Sequence, residues 1–103
     1  APGTEILVYR EGDGYWRPAA VVRAYQRVFT VRYFDPNLPE EDLERERFRV
    51  RSLGEGMEVK ISEGDELLEG VIVERRGRTF SGALRADGSV RSVPGGKIVL
   101  EAP

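Results

Sequence analysis

Two arginines near the start of the chain are candidates for binding an anion. Arg10 and Arg17 lie on either side of the turn-forming segment 11–14, each at the end of a strand-like run. A guanidinium group donates paired N–H bonds to a carboxylate or a phosphate. With Arg32, these two arginines could frame a small site for a phosphate or for a carboxylate-bearing tail. Because 33% of the residues are charged, the same arginines could instead belong to a solvated surface.

A basic tetrapeptide, Arg75-Arg76-Gly77-Arg78, is a second candidate. Clustered arginines bind nucleic-acid phosphates, and exposed tyrosines nearby could add stacking of bases. The net charge of −2, however, disfavours a general coat for nucleic acid, which is expected to be basic. A solubilising hairpin tip explains the same arginines equally well, since the second half of the chain is net negative.

The remaining composition argues against catalysis. The chain has neither histidine nor cysteine, so it lacks the commonest general base, the commonest metal ligand and any disulfide. The acidic runs 40–42 and 63–66 lack the alternating ligand pattern of a calcium loop, and no phosphate-cradling glycine loop is present. We therefore expect a protein without enzymatic activity, metal or cofactor. No apolar run approaches the roughly 18 residues of a membrane span, and no segment resembles a signal peptide.

The candidate residues lie on strand-like runs joined by short turns. Residues 5–10, 15–25 and 28–34 predict three strands, with Ile6 and Val8 on one face of the first strand and Leu7 and Tyr9 on the other. Pro18 lies inside the second strand, which predicts an edge position or a bulge at that point. This arrangement is a β-meander of the kind found in small barrels.

Residues 39–51 allow two interpretations. Their run of glutamates and arginines could form a charged helical turn or an exposed edge strand. We favour a fourth strand ending near Phe48, with Phe48, Val50 and Leu53 closing the first unit.

After Gly54-Glu55-Gly56 the pattern starts again. Residues 56–61 repeat residues 3–8, residues 67–73 repeat the second strand, and Phe80 takes the place of Phe29. Such an ordered repeat predicts two small units, residues 1–53 and residues 54–103. Each is too small for a comfortable core of its own, so we expect the two to pack together. One larger all-β domain is the alternative.

Three motifs carry a resemblance to a known family. They are Gly3-x-x-Ile6-x-Val8, Gly14-Tyr15-Trp16-x-Pro18-Ala19 and Val31-x-Tyr33-Phe34-Asp35. Together they resemble the Tudor/Agenet group of chromatin-associated barrels. The resemblance implies an all-β fold of two tandem SH3-like, Tudor-type, five-stranded barrels packed together. Members of the group often hold a methylated lysine or arginine in an aromatic cage, where π faces and a carboxylate attract the cation.

The resemblance also implies a binding site at the mouth of the first barrel. Tyr33 and Asp35 match one cage wall and its carboxylate, and Phe34 would support them. Tyr9 and Tyr15 would supply the other walls, although Arg10 and Arg17 occupy the positions where cage aromatics usually stand. Trp16 has the opposite strand parity to Tyr15 and Arg17, so we expect it to pack in the core or against the second unit. The second unit has Leu84 in place of Tyr33 and would be a structural partner.

The implied function is a non-enzymatic, nuclear reader of a modified, basic histone-like tail. Acidic residues in the loops, namely Glu11, Asp13, Glu40, Glu41 and Asp42, would attract the lysines and arginines that flank the modified residue. Two other functions stay open. One is a nucleic-acid-binding barrel pair that uses Arg75, Arg76 and Arg78. The other is a protein–protein scaffold that grips its partner between the barrels, independently of methylation.

Overall fold

The computed structural model describes residues 3–101, which form ten antiparallel strands and two single 3-10 turns. The first half contains β1 (Glu5–Arg10), β2 (Tyr15–Tyr25), β3 (Val28–Tyr33), β4 (Glu41–Glu44), the first 3-10 turn (Arg45–Arg47) and β5 (Phe48–Val50). The second half contains β6 (Glu58–Glu63), β7 (Glu66–Arg76), β8 (Thr79–Leu84), β9 (Val90–Pro94), the second 3-10 turn (Gly95–Lys97) and β10 (Ile98–Glu101). Within residues 3–101 no helix is long and apolar enough to cross a membrane.

The two halves repeat one strand order. The order is β5-β1-β2-β3-β4 in the first half and β10-β6-β7-β8-β9 in the second. The long strands β2 and β7 each shift register once, between Val21 and Arg23 and between Ile72 and Glu74. A bulge of this kind bends a strand, so that one long strand serves two sides of a curled sheet. The repeat of elements is the one that the sequence predicts.

Strand β1 separates two hydrophobic clusters. Ile6 and Val8 point into the first cluster, whereas Leu7 points into the second. Because neighbouring side chains of a strand face opposite sides, one apolar strand supplies both clusters. The first cluster also contains Ala19, Val21, Val31, Tyr33, Leu43 and Phe48, and the second Leu53, Val59, Ile61, Ile72, Phe80, Leu84 and Ile98.

The halves are joined by pairing as well as by packing. Strand β10 pairs with β6 and also with β2, where Leu100 lies opposite Trp16 and Glu101 opposite Tyr15. Trp16 and Phe34, both from the first half, pack against the second cluster. The expectation that Trp16 is a packing residue is therefore confirmed.

Glycine allows the second 3-10 turn to approach the end of β3. A Cβ atom at Gly95 would lie 2.5 Å from Cδ2 of Phe34, and one at Gly96 would lie 2.6 Å from Cα of Asp35. Real Cβ atoms essentially never come so close to another atom. The second half therefore supports the backbone at Asp35 through direct contact.

The closing segment of the first half differs from the prediction. Residues 41–50 form a short strand, a 3-10 turn and another short strand, so both interpretations of this stretch are partly right. Phe48 is buried as expected, but Val50 is 59% exposed and Leu53 packs in the second cluster. The exposure of Val50 and the position of Leu53 follow from the shortness of β5, which ends at Val50 and lets the chain cross to the other half.

The expectation for Pro18 is wrong. Strand β2 lies inside the sheet, and its register shift comes after Val21 rather than at Pro18. The Pro18 carbonyl accepts the N–H of Phe34 at 3.0 Å, so the carbonyl and the nitrogen of Pro18 face the end of β3. Proline has no N–H to donate, but the β2–β3 ladder ends at this point, so no hydrogen bond inside the ladder is lost.

Candidate functional site

Seven polar and aromatic residues meet at one end of the first sheet. The turn between β1 and β2 ends in an Asx-type contact, in which Asp13 Oδ1 accepts the N–H of Tyr15 at 3.1 Å. The register places Tyr15 opposite Arg10 and Tyr33 opposite Ala19, which orients these side chains toward the same face. We call this cluster the mouth; it consists of Arg10, Asp13, Tyr15, Arg17, Tyr33, Asp35 and Glu41.

Arg10 occupies the face of the Tyr33 ring. Its Cζ lies 5.2 Å from the ring centroid, and its Nη1 donates to Glu41 Oε1 at 3.0 Å. The Tyr33 hydroxyl donates to the same Glu41 oxygen. Tyr33 is only 3% exposed, and burial together with Glu41 raises its pKa to about 12. The phenol is therefore neutral and held in place, and a cation of the chain itself already lies against its π face.

Arg17 bridges the other two carboxylates of the mouth. Its Nε donates to Asp13 Oδ2 at 2.7 Å, and its Nη1 lies 4.0 Å from Asp35 Oδ2. Arg10 also approaches Asp13, at 3.8 Å. Asp35 is fixed further by the N–H of Asn37, which donates to Oδ1 at 2.9 Å. The mouth thus holds three carboxylates and two guanidinium groups, and its net charge is negative.

Burial and charge act in opposite directions on Arg10. Burial lowers the pKa of the guanidinium, but Tyr33, Glu41 and Asp13 more than offset this, so that the pKa lies above its ordinary value. Arg10 is therefore a permanent cation. Both arginines already pair with carboxylates of the mouth, so an added anion would compete with these carboxylates, whereas a cation would meet a net negative cluster.

Two of the predicted cage residues lie elsewhere. Tyr9 is on the opposite face of β1, the face of Leu7, where its ring is 5.5 Å from that of Trp16. Phe34 packs against the second cluster, with Arg78 Cζ 4.4 Å from its ring centroid. The structure thus brings Tyr15, Tyr33 and Asp35 together and leaves Tyr9 and Phe34 outside the mouth. The strand parity of Tyr9 is readable from the sequence, because it shares a face with Leu7.

Arg32 is not part of the mouth either. It lies opposite Ala20, on the outer face, and donates to Glu40 at 2.8 and 2.5 Å. Glu41 is the residue whose position the sequence did not reveal. It belongs to an acidic run, but in β4 it lies opposite Val31 and its carboxylate reaches Tyr33 and Arg10 inside the mouth.

The basic tetrapeptide is largely engaged in intramolecular contacts. Arg75 donates to both carboxylate oxygens of Glu5 and to the carbonyls of Leu53 and Gly77. Arg76 is 3.4 Å from Glu74, and Arg78 covers the Phe34 ring. Arg75 therefore joins the two halves and has its donors occupied, and Arg76 and Arg78 point to other neighbours.

A groove on the second half adjoins the mouth. It has a volume of about 250 Å³ and lies over β6, β7 and β10. Glu101, which lines it, is opposite Tyr15 of the mouth. Lys60 lies 3.8 Å from Glu69 and 3.9 Å from Glu101 within the groove. Arg85, which also lines the groove, lies 3.3 Å from Glu58 and 3.8 Å from Glu69. Three carboxylates and two basic groups thus give the lining a small net negative charge, of the same sign as that of the mouth.

No protein-family model matches the chain, and no curated protein matches it. Among solved structures, the chain is similar to AGDP1 AGD34 of Arabidopsis thaliana, with 19% identity over 98% of this chain and 82% of that chain and a TM-score of 0.45. It is also similar to the tandem Agenet domain 3-4 of ADCP1, with 18% identity over 98% of this chain and 79% of that chain and a TM-score of 0.44. Both are Agenet domains, the group that the sequence resembles.

Proposed function

We propose that the chain is a non-enzymatic binding module that takes a basic, histone-like peptide at the mouth of its first sheet. One observation carries the proposal: a guanidinium group, that of Arg10, lies over the Tyr33 ring and bonds Glu41. An aromatic face beside a carboxylate is the environment that attracts an organic cation. In the free protein Arg10 fills this position, and a ligand cation would replace it.

The proposed ligand contacts follow from the charges of the mouth. A lysine or arginine of the peptide would lie against Tyr33 and bond Glu41, while Arg10 swings out toward solvent. Tyr15 and Asp35 would form the second side of the site. Flanking basic residues would lie along the groove of Glu69 and Glu101. These acidic neighbours favour a basic tail and disfavour an acidic one.

Methylation of the bound side chain is part of the proposal. A methylated ammonium group keeps its charge but is less strongly hydrated, so it gains more from an aromatic face than an unmodified one does. A lower methylation state also keeps an N–H that Asp35 could accept. A nuclear location accompanies this function in the proposal.

The proposal includes the architecture that presents the site. We regard the two curled sheets as two SH3-like barrels of the Tudor type, residues 1–53 and residues 54–103. The shared strand order and the two hydrophobic clusters support this division. The second barrel has Leu84 opposite Gly70, where the first has Tyr33 opposite Ala19, and we assign it a supporting role.

A methylation-independent scaffold is the second candidate function. The burial of Tyr33 favours it, since a methyl-specific contact requires Arg10 to leave the ring. In that case the peptide would bind the exposed carboxylates around the mouth and the groove. Methylated and unmodified peptides would then bind equally well.

Calorimetric titration of three variants with a basic peptide, unmodified and trimethylated at lysine, tests the proposal. Arg10→Ala should tighten binding several-fold, because the internal competitor is gone. Tyr33→Leu introduces the residue type that the second half has at the corresponding position, Leu84. It should weaken binding of the methylated peptide by roughly 0.5–2 kcal/mol, the range of a cation–π contact. Arg91→Ala is the matched control: Arg91 pairs with Glu63 at 3.0 Å, the same distance as in the Arg10–Glu41 pair.

The control separates local competition from net charge, because both arginine variants change the charge equally. Tighter binding by Arg10→Ala but not by Arg91→Ala supports the mouth as the site. Equal changes in both variants, or no change in either, would show that the peptide does not compete with Arg10. Equal affinity for the two peptides in the parent protein would select the scaffold function.

A further inference from the structure

A second charged surface runs along the segment that closes the first half. Arginine occupies every second position from the first 3-10 turn through β5 to the residue that follows it. Arg49 lies opposite Leu7, on the other face of the sheet from the mouth. All four side chains are exposed, and among residues 3–101 none has a carboxylate oxygen within 4.0 Å. We call this surface the arginine strip; it consists of Arg45, Arg47, Arg49 and Arg51.

The acidic residues near the strip form no close ion pair with it. Glu44 and Glu46 alternate with Arg45 and Arg47 along the chain, but within residues 3–101 neither carboxylate lies within 4.0 Å of an arginine nitrogen. The neighbouring carboxylate of Glu46 raises the pKa of Glu44, and Arg47 partly offsets this effect. Glu5 lies in β1, where its carbonyl accepts the N–H of Arg51, and its carboxylate is bonded to Arg75. The strip therefore keeps its positive charge, although the whole chain is net negative.

Aromatic rings hold part of the strip in place. Arg49 Cζ lies 4.7 Å from the centroid of Trp16, whose ring is 5.5 Å from that of Tyr9. Arg45 Cζ lies 4.8 Å from the Phe48 centroid, and its Nη1 donates to the Phe48 carbonyl at 2.7 Å. A guanidinium group that lies over a ring can still donate N–H bonds to a ligand. Arg49 is thus held beside Trp16, and within residues 3–101 no carboxylate competes for its donors.

We propose that the arginine strip, together with Tyr9, binds single-stranded nucleic acid. Arg47, Arg49 and Arg51 would pair with successive backbone phosphates, for which the guanidinium fork is well suited. A base would stack on the half-buried Tyr9 ring beside the Arg49–Trp16 pair. Basic grooves with adjacent aromatic rings are the common device for binding single strands without sequence preference.

Two features favour a single strand over other polyanions. A duplex keeps its bases in the stack, and the strip has no helix that could enter a groove, so Tyr9 would gain no contact. An acidic peptide could pair with the arginines, but it has no base to place on the ring. The strip shares no residue with the mouth, and its test is independent of peptide binding.

Fluorescence anisotropy of a labelled oligothymidylate, measured over a range of salt concentrations, tests this site. For three phosphate contacts the slope of log affinity against log salt should be about −2, from about −0.7 per contact on single strands. The double variant Arg47→Glu/Arg51→Glu should bind at least tenfold more weakly. The slope of log affinity against log salt should also become shallower by the contribution of about two phosphate contacts. Tyr9→Leu should weaken binding by about fivefold or more, with the slope unchanged, because stacking is not ionic.

The double variant Arg76→Glu/Arg85→Glu is the matched control. It makes the same change of charge at two exposed arginines of the second half, and it also tests the basic tetrapeptide. The control should bind like the parent protein. Equal losses in both double variants, no binding by the parent at low salt, or equally good competition by polyglutamate or by a duplex of the same length would each overturn the proposal.

Discussion

Glu5 and Arg75, which are 70 positions apart, form a two-pronged ion pair between β1 and β7. Nη1 of Arg75 donates to Oε1 at 2.7 Å and Nη2 donates to Oε2 at 2.5 Å. The two side chains are only 20% and 21% exposed. The same guanidinium group also bonds the Leu53 carbonyl and covers the Phe80 ring at 4.9 Å. One arginine thus holds together the first strand, the segment at Leu53 that follows β5, and the second cluster.

Replacing Glu5 with glutamine should destabilise the protein by about 1–3 kcal/mol, because a largely buried guanidinium group then lacks its charged partner. Glu63→Gln, which breaks the more exposed pair with Arg91, should cost less than about 1 kcal/mol. Urea unfolding of the three proteins at neutral pH measures both effects. Equal losses in the two variants would mean that the Glu5–Arg75 pair contributes no more than a surface pair.

The same pair predicts a pH dependence. The hydrogen bond from Arg75 lowers the pKa of Glu5 in the folded protein. A carboxylate with a lowered pKa stabilises the fold above its unfolded pKa, about 4.3, and this stabilisation is lost as the pH falls through the folded pKa. The difference in unfolding free energy between the parent and Glu5→Gln should therefore shrink on acidification below about pH 4.3. A difference that stays constant down to strongly acidic pH would contradict the shift.

The raised pKa of Tyr33 predicts a loss of stability at alkaline pH. Its pKa is raised to about 12 by burial and by Glu41, whereas in the unfolded chain it is about 10. The stabilisation from the protonated phenol is complete below pH about 10 and is lost as the pH rises toward about 12. Tyrosinate absorbance at pH about 11 should therefore be nearly the same in the folded parent and in Tyr33→Phe. A clear excess in the parent at that pH would show that Tyr33 is accessible.

Gly96→Ala should disturb the mouth from the second half. The new Cβ would lie 2.6 Å from Cα of Asp35, and backbone cannot yield as a flexible side chain does. We expect a loss of about 1–3 kcal/mol in stability and displaced amide signals at Asp35 and its neighbours. Gly54→Ala is the control, since a Cβ there has no atom within 4 Å. Unchanged Asp35 signals in Gly96→Ala would show that the two segments do not press on each other.

Arg17→Tyr distinguishes a cation site from an anion site. The substitution removes the cation that bridges Asp13 and Asp35 and adds an aromatic ring to the mouth. If the mouth binds cations, a methylated basic peptide should bind more tightly to this variant than to the parent protein. If Arg10 and Arg17 form an anion site, the variant should instead no longer bind a phosphorylated peptide. Titration with both peptides decides between the two.

Residues 1–53 should not fold by themselves. In isolation, Leu7, Trp16 and Phe34 would lose the second cluster against which they pack. A unit of about 50 residues also buries too little surface to compensate for the loss. We expect a poorly dispersed amide spectrum for this fragment. A sharp, cooperative thermal transition of the fragment would contradict the expectation.

The strands of the first half could be predicted because their signals are local. Turn residues bound β1 and β2, and alternation correctly separates Ile6 and Val8 from Leu7. The repeat of the pattern after Gly54 predicts the order of elements in the second half. The parity of Trp16 was also sufficient to predict that it packs rather than binds.

Contacts between distant segments could not be predicted in this way. Nothing local shows that β10 pairs with β2 as well as with β6, or that Leu53 crosses to the second cluster. The ion pairs were equally unpredictable, since each arginine has many carboxylates within reach. Glu41 is the clearest case: its neighbours Glu40 and Asp42 point to other partners, and only the register of β4 directs Glu41 toward Tyr33.

The short ladder between β2 and β10 has a consequence for the order in which the molecule forms. Most strand pairs here connect neighbours in the chain, but Trp16 meets Leu100 only after nearly the whole chain has been brought together. Closing so long a loop costs entropy that only two residue pairs and the surrounding packing repay. This step therefore belongs late in folding, after the hairpins. Until it is complete, the apolar side chains of Trp16 and Leu100 stay more exposed to water and to other chains, and Tyr15 lacks its strand partner Glu101.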